Sequence, residues 1–267
     1  METITARVLE ALAREDAADS TDAATLTFLL RQYLGTDRQD LRDALGTALA
    51  AALERASGEP TTAGRAAWLT LFAEVTTIAE DERIVAVISE LVAGLRAEWP
   101  AASGVAEGSA SVEAVLRAAS LFDPQELVPP AIDQLEHVVG GAYQPGEGVR
   151  GGLINQVRAA SALLTAFEIT GRLPYSMLAE ELMQTARRTA PDADAATIAV
   201  MCDAARVFCR LATLHDDAGY QKAAVTLSDA DYRGDAARIL AAQSTRALHA
   251  TAAHAAAYGL ALLDLLQ

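Results

Sequence analysis

The sequence resembles itself at a spacing of 45 residues in its second half. Identical or similar residues occur 45 positions apart in six pairs: Ala159 and Ala204, Ala160 and Ala205, Leu163 and Phe208, Tyr175 and Tyr220, Ala179 and Ala224, and Leu182 and Leu227. A fixed period of about 20–50 residues is typical of architectures in which one supersecondary unit stacks on the next. About six such units would account for all 267 residues.

The repeated unit is predicted to be a hairpin of two α-helices. Alanine makes up about a fifth of the residues, whereas the β-branched and aromatic residues that favour strands are sparse. Apolar residues recur three and four positions apart, which is typical of amphipathic helices. Short turns follow at similar intervals, at 35–38, 79–82, 123–125, 171–174 and 216–219. The sequence therefore predicts an all-α fold.

About twelve helices are predicted. The first lies near 3–14, and Ser20 or Thr21 is expected to cap the second, which ends before Gly35. The others lie near 38–57, 62–78, 82–97, 110–121, 125–139, 153–170, 175–189, 195–214, 219–243 with a break near Gly234, and 246–266. Asp192 and Asp194 are interpreted as helix caps. All the helices are assigned to one domain, 1–267, because a chain of this length can bury a single core.

The repeats can stack in an open or a closed array. An open HEAT-like α-solenoid presents a concave face to another protein, whereas an α/α toroid closes about six hairpins into a ring. The first and last predicted helices each lack a hairpin partner, and the apolar segment 260–266 is unlike the polar cap of an open solenoid. We therefore expect a ring with Val8 near Tyr258, and the open solenoid remains the alternative.

The charge and the apolar pattern exclude several partners. A net charge of −15 and a pI near 4.6 repel phosphate backbones, and no apolar run reaches the roughly 18–20 residues of a membrane-spanning helix. The start of the chain does not resemble a signal peptide. We expect no nucleic-acid partner, no membrane association and a cytoplasmic location. Cys202 and Cys209 lie seven residues apart on one predicted helix, too far apart for a disulfide.

A further indication comes from the segments 140–187 and 203–227, which resemble successive hairpins of the six-hairpin α/α-toroid superfamily. The likeness rests on residues 140–143, 155–156, 159–164, Glu168, 170–171 and Tyr175, and extends roughly over 140–267. The superfamily includes six-hairpin glycosidases, N-acylglucosamine 2-epimerase-like sugar enzymes and the helical part of thioredoxin-fused proteins. The resemblance implies inner helices whose N-terminal ends and preceding loops line a central cavity, where the enzymes of the superfamily place carboxylates or histidines. No thioredoxin part and no catalytic motif of these enzymes is present in the sequence.

The longest predicted loop is the glycine-rich segment 140–152. Residues 146–151 read G-x-G-x-x-G, but a dinucleotide fingerprint needs a preceding strand, and the residues before this loop have a helical pattern. Acidic Glu147 also stands where a phosphate would approach. No nucleotide or other cofactor is therefore predicted. The loop is interpreted either as a flexible connection or as the border of a ligand cavity.

Candidate site residues are those that a ring would place near one end of its inner helices, or in this loop. The candidate ligand-binding residues are Arg65, Trp68, Arg117, Tyr143, Arg150, Asn155, Gln156 and Arg158, and Glu113 belongs to the same predicted set. The candidates for acid/base catalysis are Glu147, Asp203 and His249. No metal site is predicted, because His249 and His254 lie five residues apart and on different faces of a helix.

Three kinds of function are compatible with the sequence. The favoured one is non-catalytic binding of an unidentified protein or small molecule by a helical-hairpin module. The alternative is an α/α-toroid enzyme that acts on a carbohydrate or a similar polar substrate, although an aromatic content of 5% offers few surfaces for sugar stacking. The third is a structural subunit of a larger assembly, including a homo-oligomer.

Overall fold

The computed structural model describes residues 1–13, 22–99, 104–189, 198–225 and 230–267, which form thirteen α-helices and one two-stranded hairpin. The helices are α1 (Glu2–Ala13), α2 (Ala23–Thr36), α3 (Gln39–Ser57), α4 (Thr62–Val75), α5 (Glu82–Glu98), α6 (Val105–Ala118), α7 (Pro124–Ala142), α8 (Leu153–Thr170), α9 (Leu173–Thr189), α10 (Ile198–Asp216), α11 (Ala218–Ala223), α12 (Tyr232–His249) and α13 (Ala252–Leu266). The strands are β1 (Tyr143–Gln144) and β2 (Gly148–Val149), paired antiparallel. The prediction of an all-α fold is confirmed.

Six of the helices contact one another in a closed cycle. The order is α2, α4, α6, α8, α10, α13 and back to α2. The helices α1, α3, α5, α7, α9 and α12 pack around them, and α1 contacts α13, so the first and last helices meet. Each inner helix therefore has an inner helix on both sides in this cycle of contacts.

Burial differs between the inner and outer helices. Inner helix α6 is buried on nearly every side: between Gly108 and Ala118, only Ala110 and Arg117 are not fully buried. Outer helix α3 buries one stripe only, at Leu41, Leu45, Ala52 and Ala56. A single apolar stripe is typical of a helix with one face in water, whereas apolar residues all round indicate a helix enclosed by neighbours.

Small residues allow close packing where the ring closes. A Cβ atom added at Gly259 of α13 would lie 2.4 Å from the ring of Phe28 on α2. At the same seam, the Arg7 guanidinium of α1 donates hydrogen bonds to the carbonyl oxygens of Leu248 and Ala250. The two ends of the chain are therefore joined by both apolar and polar contacts.

Several predicted helix boundaries are wrong. Gly234 lies within α12 instead of breaking it: Asp231 caps this helix by accepting a hydrogen bond from the Gly234 amide at 2.8 Å, and a Cβ at Gly234 would collide with the Asp231 carboxylate. The glycine makes room for a cap, so the break falls earlier, between α11 and α12. Helix α12 also continues to His249, past the predicted end at 243, and α6 starts at Val105 instead of 110.

Side-chain caps start many of the helices. Asp22 caps α2 through the amide of Thr25, a position next to the predicted Ser20 and Thr21. Those two residues, Asp192 and Asp194, and Leu227 of the repeat lie outside the described residues. Within the described ranges, none of the helices combines the length and the apolar character needed to cross a bilayer.

Candidate functional site

The inner helices surround a cavity of about 400 Å³. All six of them contribute charged side chains to its wall. The guanidinium groups are those of Arg31, Arg117, Arg158, Arg206 and Arg210. The carboxylates are those of Glu74, Glu107, Glu113, Asp203 and Asp264. This volume lies within the range of about 300–1,000 Å³ that small-molecule sites occupy.

The lining residues occupy equivalent positions along successive helices. The ninth residue of α2, α4, α6, α8 and α10 is, in order, Arg31, Thr70, Glu113, Ser161 and Arg206. Four residues further on, the thirteenth position holds Glu74 in α4, Arg117 in α6, Arg210 in α10 and Asp264 in α13. Residues four apart share a helix face. One face of each inner helix is therefore the polar wall of the cavity.

One chain of ion pairs links four inner helices. Arg31 of α2 lies 2.8 Å from a Glu74 oxygen on α4 and 2.9 Å from Asp264 on α13. Asp264 also accepts a hydrogen bond of 2.6 Å from Nε of Arg206 on α10. Burial lowers the pKa of Arg206, but Asp264, together with Asp203 and Glu74, raises it above its ordinary value, so this guanidinium stays charged. The chain Glu74–Arg31–Asp264–Arg206 spans the seam where the ring closes.

A second cluster is centred on Glu113 of α6. Its Oε1 atom accepts hydrogen bonds from Arg117 Nη2 at 2.7 Å, Ser161 Oγ at 2.8 Å and Thr165 Oγ1 at 3.1 Å. Arg210 Nη1 lies 3.5 Å from the same oxygen. Burial alone would raise the pKa of Glu113, but Arg117 and Arg210, with the Ser161 hydrogen bond, lower it to about 2. Glu113 is therefore ionised at neutral pH and has no proton to donate.

A third pair joins α8 and α10, where Arg158 Nη2 lies 2.8 Å from Asp203 Oδ2. These side chains retain 38% and 23% of their surface accessible, more than the 11% of Glu113. They therefore face the open part of the cavity rather than its packed wall.

The cavity also has an apolar part. It is formed by the first two turns of α4, α6 and α8, at Ala63, Ala66, Ala106, Ala110, Ile154 and Val157. The charged groups at the ninth and thirteenth positions lie further along the same helices. Glu107, Arg158 and Asp203 lie at the same end as these aliphatic side chains, so a ligand that fills the cavity would meet both apolar and charged groups there, and mostly polar groups further along.

The structure brings some of the predicted site residues together in this cavity. Arg117, Arg158 and Asp203 line it, as does Glu113. Arg117 lies at the thirteenth position of α6, far from the helix start at which the prediction had placed it.

The other two predicted catalytic residues lie elsewhere. Glu147 is exposed in the turn between β1 and β2, and His249 is exposed at the end of outer helix α12. Neither lines the cavity that holds Asp203. The three predicted acid/base residues therefore do not converge.

On α4, Arg65 and Trp68 point away from the cavity. Arg65 forms an ion pair with Glu98 of outer helix α5, and Trp68 is buried against Phe72 with ring centroids 5.9 Å apart. The prediction placed them at the cavity because they lie near the start of an inner helix. Their positions on that helix, the fourth and the seventh, belong to its outward faces.

The glycine-rich segment is anchored by the residues predicted to bind ligand. Gln156 donates a hydrogen bond of 2.7 Å to the carbonyl oxygen of Val149 and accepts one of 3.1 Å from its amide. Asn155 donates to the Arg150 carbonyl oxygen at 2.8 Å, and Arg150 donates to that of Gly141 at 2.6 Å. The segment is thus a hairpin held to α8, and the side chains of Arg150, Asn155 and Gln156 hydrogen-bond its backbone.

The remaining predicted residue of this segment, Tyr143, donates a hydrogen bond of 2.8 Å to Glu181 on α9, which raises the pKa of the phenol. Gly148 has a φ of +79°, and a Cβ there would collide with the Gln156 amide. The glycine at this position is therefore explained by packing against Gln156.

Sequence reasoning missed Arg31, Glu74, Arg206, Arg210 and Asp264. A signal for two of them was present, because the 45-residue spacing that relates Arg158 to Asp203 also relates Ser161 to Arg206 and Thr165 to Arg210. These polar residues recur three and four positions apart within otherwise apolar helices. Such a polar stripe indicates a face that lines a wet space.

Metal binding and thiol catalysis find little support among the described residues. Among the described residues, no three His, Cys, Asp or Glu side chains are placed to share a metal ion. Cys202 and Cys209 are buried and free, and burial raises their thiol pKa to about 12 and about 11. A thiol that stays protonated is a poor nucleophile.

The fold and the cavity define an all-α protein of packed helical hairpins around a charged interior. A scan against models of known families finds no match, and no curated protein matches the sequence.

Proposed function

We propose that this protein is a non-catalytic binding protein and that its central cavity takes a small polar molecule. The observation that carries the proposal is the cavity of about 400 Å³, whose wall holds ionised side chains from all six inner helices. Charged groups inside a protein cost solvation free energy, so ionised side chains around an internal space are satisfied by one another and by the water or ligand that fills it.

The ring of helices supports a preformed site. The lining side chains are fixed by one another, through pairs such as Arg31 with Asp264 and Arg210 with Glu113. Ligand binding then needs little ordering of side chains, which reduces the entropic cost of association. The closed cycle of inner helices also supports a shared architecture with the six-hairpin α/α-toroid superfamily.

Acid/base catalysis receives less support. A general acid that works near neutral pH needs a carboxyl group whose pKa is raised, and the pKa of Glu113 is lowered to about 2. Asp203 and Asp264 each contact a guanidinium group, of Arg158 and Arg206 respectively. The wall therefore offers fixed charges for recognition rather than a proton donor and an acceptor.

A ligand screen with a blocked-cavity variant tests the proposal. Small polar metabolites are screened by thermal unfolding on the wild type and on Ala110→Phe, which fills the cavity without removing a charge. We expect some compounds to raise the Tm of the wild type and to leave that of A110F unchanged.

The matched control is Ala86→Phe, because Ala86 is exposed on outer helix α5. This variant should respond to ligands as the wild type does. Compounds that stabilise A110F as much as the wild type, or a screen in which none stabilises the wild type, would overturn the proposal.

A further inference from the structure

The composition of the cavity wall restricts the charge of its ligand. Five guanidinium groups face five carboxylates, so the wall is balanced. A ligand with a net charge would bring an uncompensated charge into an enclosed space, whereas a ligand with one positive and one negative group would keep the balance.

Two charged side chains of α10, Asp203 and Arg206, have polar atoms available for a ligand. Arg206 uses Nε on Asp264, and its two Nη atoms have no hydrogen-bond partner within the described part of the chain. Asp203 contacts Arg158 through Oδ2, and its Oδ1 likewise has none among the described residues. Asp203 and Arg206 lie three residues apart on one helix and so share a face. Two hydrogen-bond donors of the Arg206 guanidinium and one acceptor of the Asp203 carboxylate therefore lie on the same face of α10 at the cavity.

The rest of the wall indicates the body of the ligand. Ala66, Ala110, Ile154 and Val157 form the apolar part of the cavity, and no aromatic ring is found among its lining residues in the described chain. Aliphatic side chains bury an aliphatic group, whereas a sugar ring would find no aromatic platform among these lining residues.

The geometry points to a zwitterion with an aliphatic body, of the class of aliphatic α-amino acids, as the ligand of this cavity. The carboxylate is held by the Nη atoms of Arg206, and the ammonium group, attached to the same carbon, is held by Asp203. The aliphatic side chain lies against Ala110 and Val157. This assignment rests on the proposed function, because it specifies what the cavity binds.

Calorimetric titration of the wild type provides the test. L-Leucine is the probe, and N-acetyl-L-leucine and L-leucinamide each retain only one of its two charges. Glucose represents the polyols and succinate the anions. We expect L-leucine to bind, and its two derivatives to bind about tenfold more weakly or worse, because each leaves a charged group of the wall unpaired.

Variants locate the two contacts. Arg206→Lys keeps the charge but loses the planar fork, and Asp203→Asn keeps the shape but loses the charge; each should weaken L-leucine binding about tenfold or more. Arg83→Gln, at an exposed pair on α5, should leave it unchanged. Circular dichroism verifies that each variant folds, and the derivative series on the wild type does not depend on them.

The outcomes separate the two proposals. Binding of the single-charge derivatives as tightly as L-leucine would overturn the zwitterion assignment, as would binding of glucose or succinate in its place. The cavity would then still be a ligand site. If no compound in this series or in the wider screen bound, the proposed function itself would be wrong.

Discussion

Two polar clusters inside the molecule differ in what surrounds a buried carboxylate. In the cavity, Glu113 is surrounded by guanidinium and hydroxyl groups from α6, α8 and α10. Where outer helices α9 and α12 meet inner helix α10, Glu180 of α9 accepts a hydrogen bond of 2.6 Å from the Tyr232 hydroxyl and lies 3.3 Å from His215 Nε2. The first cluster faces an open space, and the second is packed among aromatic rings.

The aromatic rings explain the second cluster. Tyr232 stacks on Phe208 with ring centroids 5.8 Å apart, and His215 meets the same tyrosine edge-on at 5.0 Å. Burial, and then the adjacent Glu180, raises the pKa of Tyr232, so its hydroxyl remains a donor. The comparison shows that a buried carboxylate does not by itself indicate a ligand-binding site. The cavity differs because it has space next to Asp203 and Arg206, which have atoms without a hydrogen-bond partner in the described part of the chain.

The largest expected effect is that of Glu113→Gln. It removes the ion-pair partner of Arg117 and one of the two carboxylates near Arg210, which keeps Glu168. The drop of the Glu113 pKa from 4.5 to about 2 corresponds to about 3 kcal/mol of stability at neutral pH. Urea denaturation at pH 7 measures this loss of unfolding free energy.

The pH dependence gives a second readout of the same variant. The folded-state pKa of Glu113 is below its unfolded value, so its contribution is complete above pH 4.5 and is lost as the pH falls towards 2. The wild type should lose this contribution over that window, and E113Q should not. Equal stability of the two proteins at pH 7 would mean that the cavity charges contribute no more than an exposed pair.

A smaller effect is expected from Tyr232→Phe in the outer cluster. The variant keeps the ring that stacks on Phe208 but removes the donor to Glu180 and the acceptor for Gln184. Loss of a buried hydrogen bond costs about 1–2 kcal/mol. Ligand-induced stabilisation should be unchanged, since Tyr232 does not line the cavity. If Y232F abolished ligand binding while remaining folded, the two clusters would be one functional unit, contrary to the comparison.

The smallest effect is expected at the seam. Gly259→Ala places a methyl group against the Phe28 ring, and the cost of overpacking is partly offset by the better helix propensity of alanine, for a net loss of about 1 kcal/mol. Thermal unfolding measures it.

Gly46 provides the matched control for this substitution. It lies within outer helix α3, and a Cβ there meets nothing within 4 Å, so Gly46→Ala should raise the stability. If Gly259→Ala also raised the stability, helix propensity would outweigh the packing against Phe28 at the seam.

The architecture was more predictable than the site. The 45-residue spacing and the apolar periodicity sufficed for helices and their order, because these depend on local patterns. The partners of Arg31 could not be predicted, since Asp264 lies 233 residues away and becomes a neighbour only through ring closure. The role of Gly234 depends on a local contact instead. It was expected to break a helix, but it leaves space for the carboxylate of Asp231, which caps the helix three residues earlier.

The position of Asp264 has a consequence for how the molecule forms. Arg206 meets its carboxylate partner only when α13 docks between α10 and α2, so the other inner helices cannot complete this network among themselves. The charged interior is then complete only when the last helix is in place, which couples distant parts of the chain. A polypeptide that has folded without α13 would expose these ions to bulk water and would have no enclosed chamber.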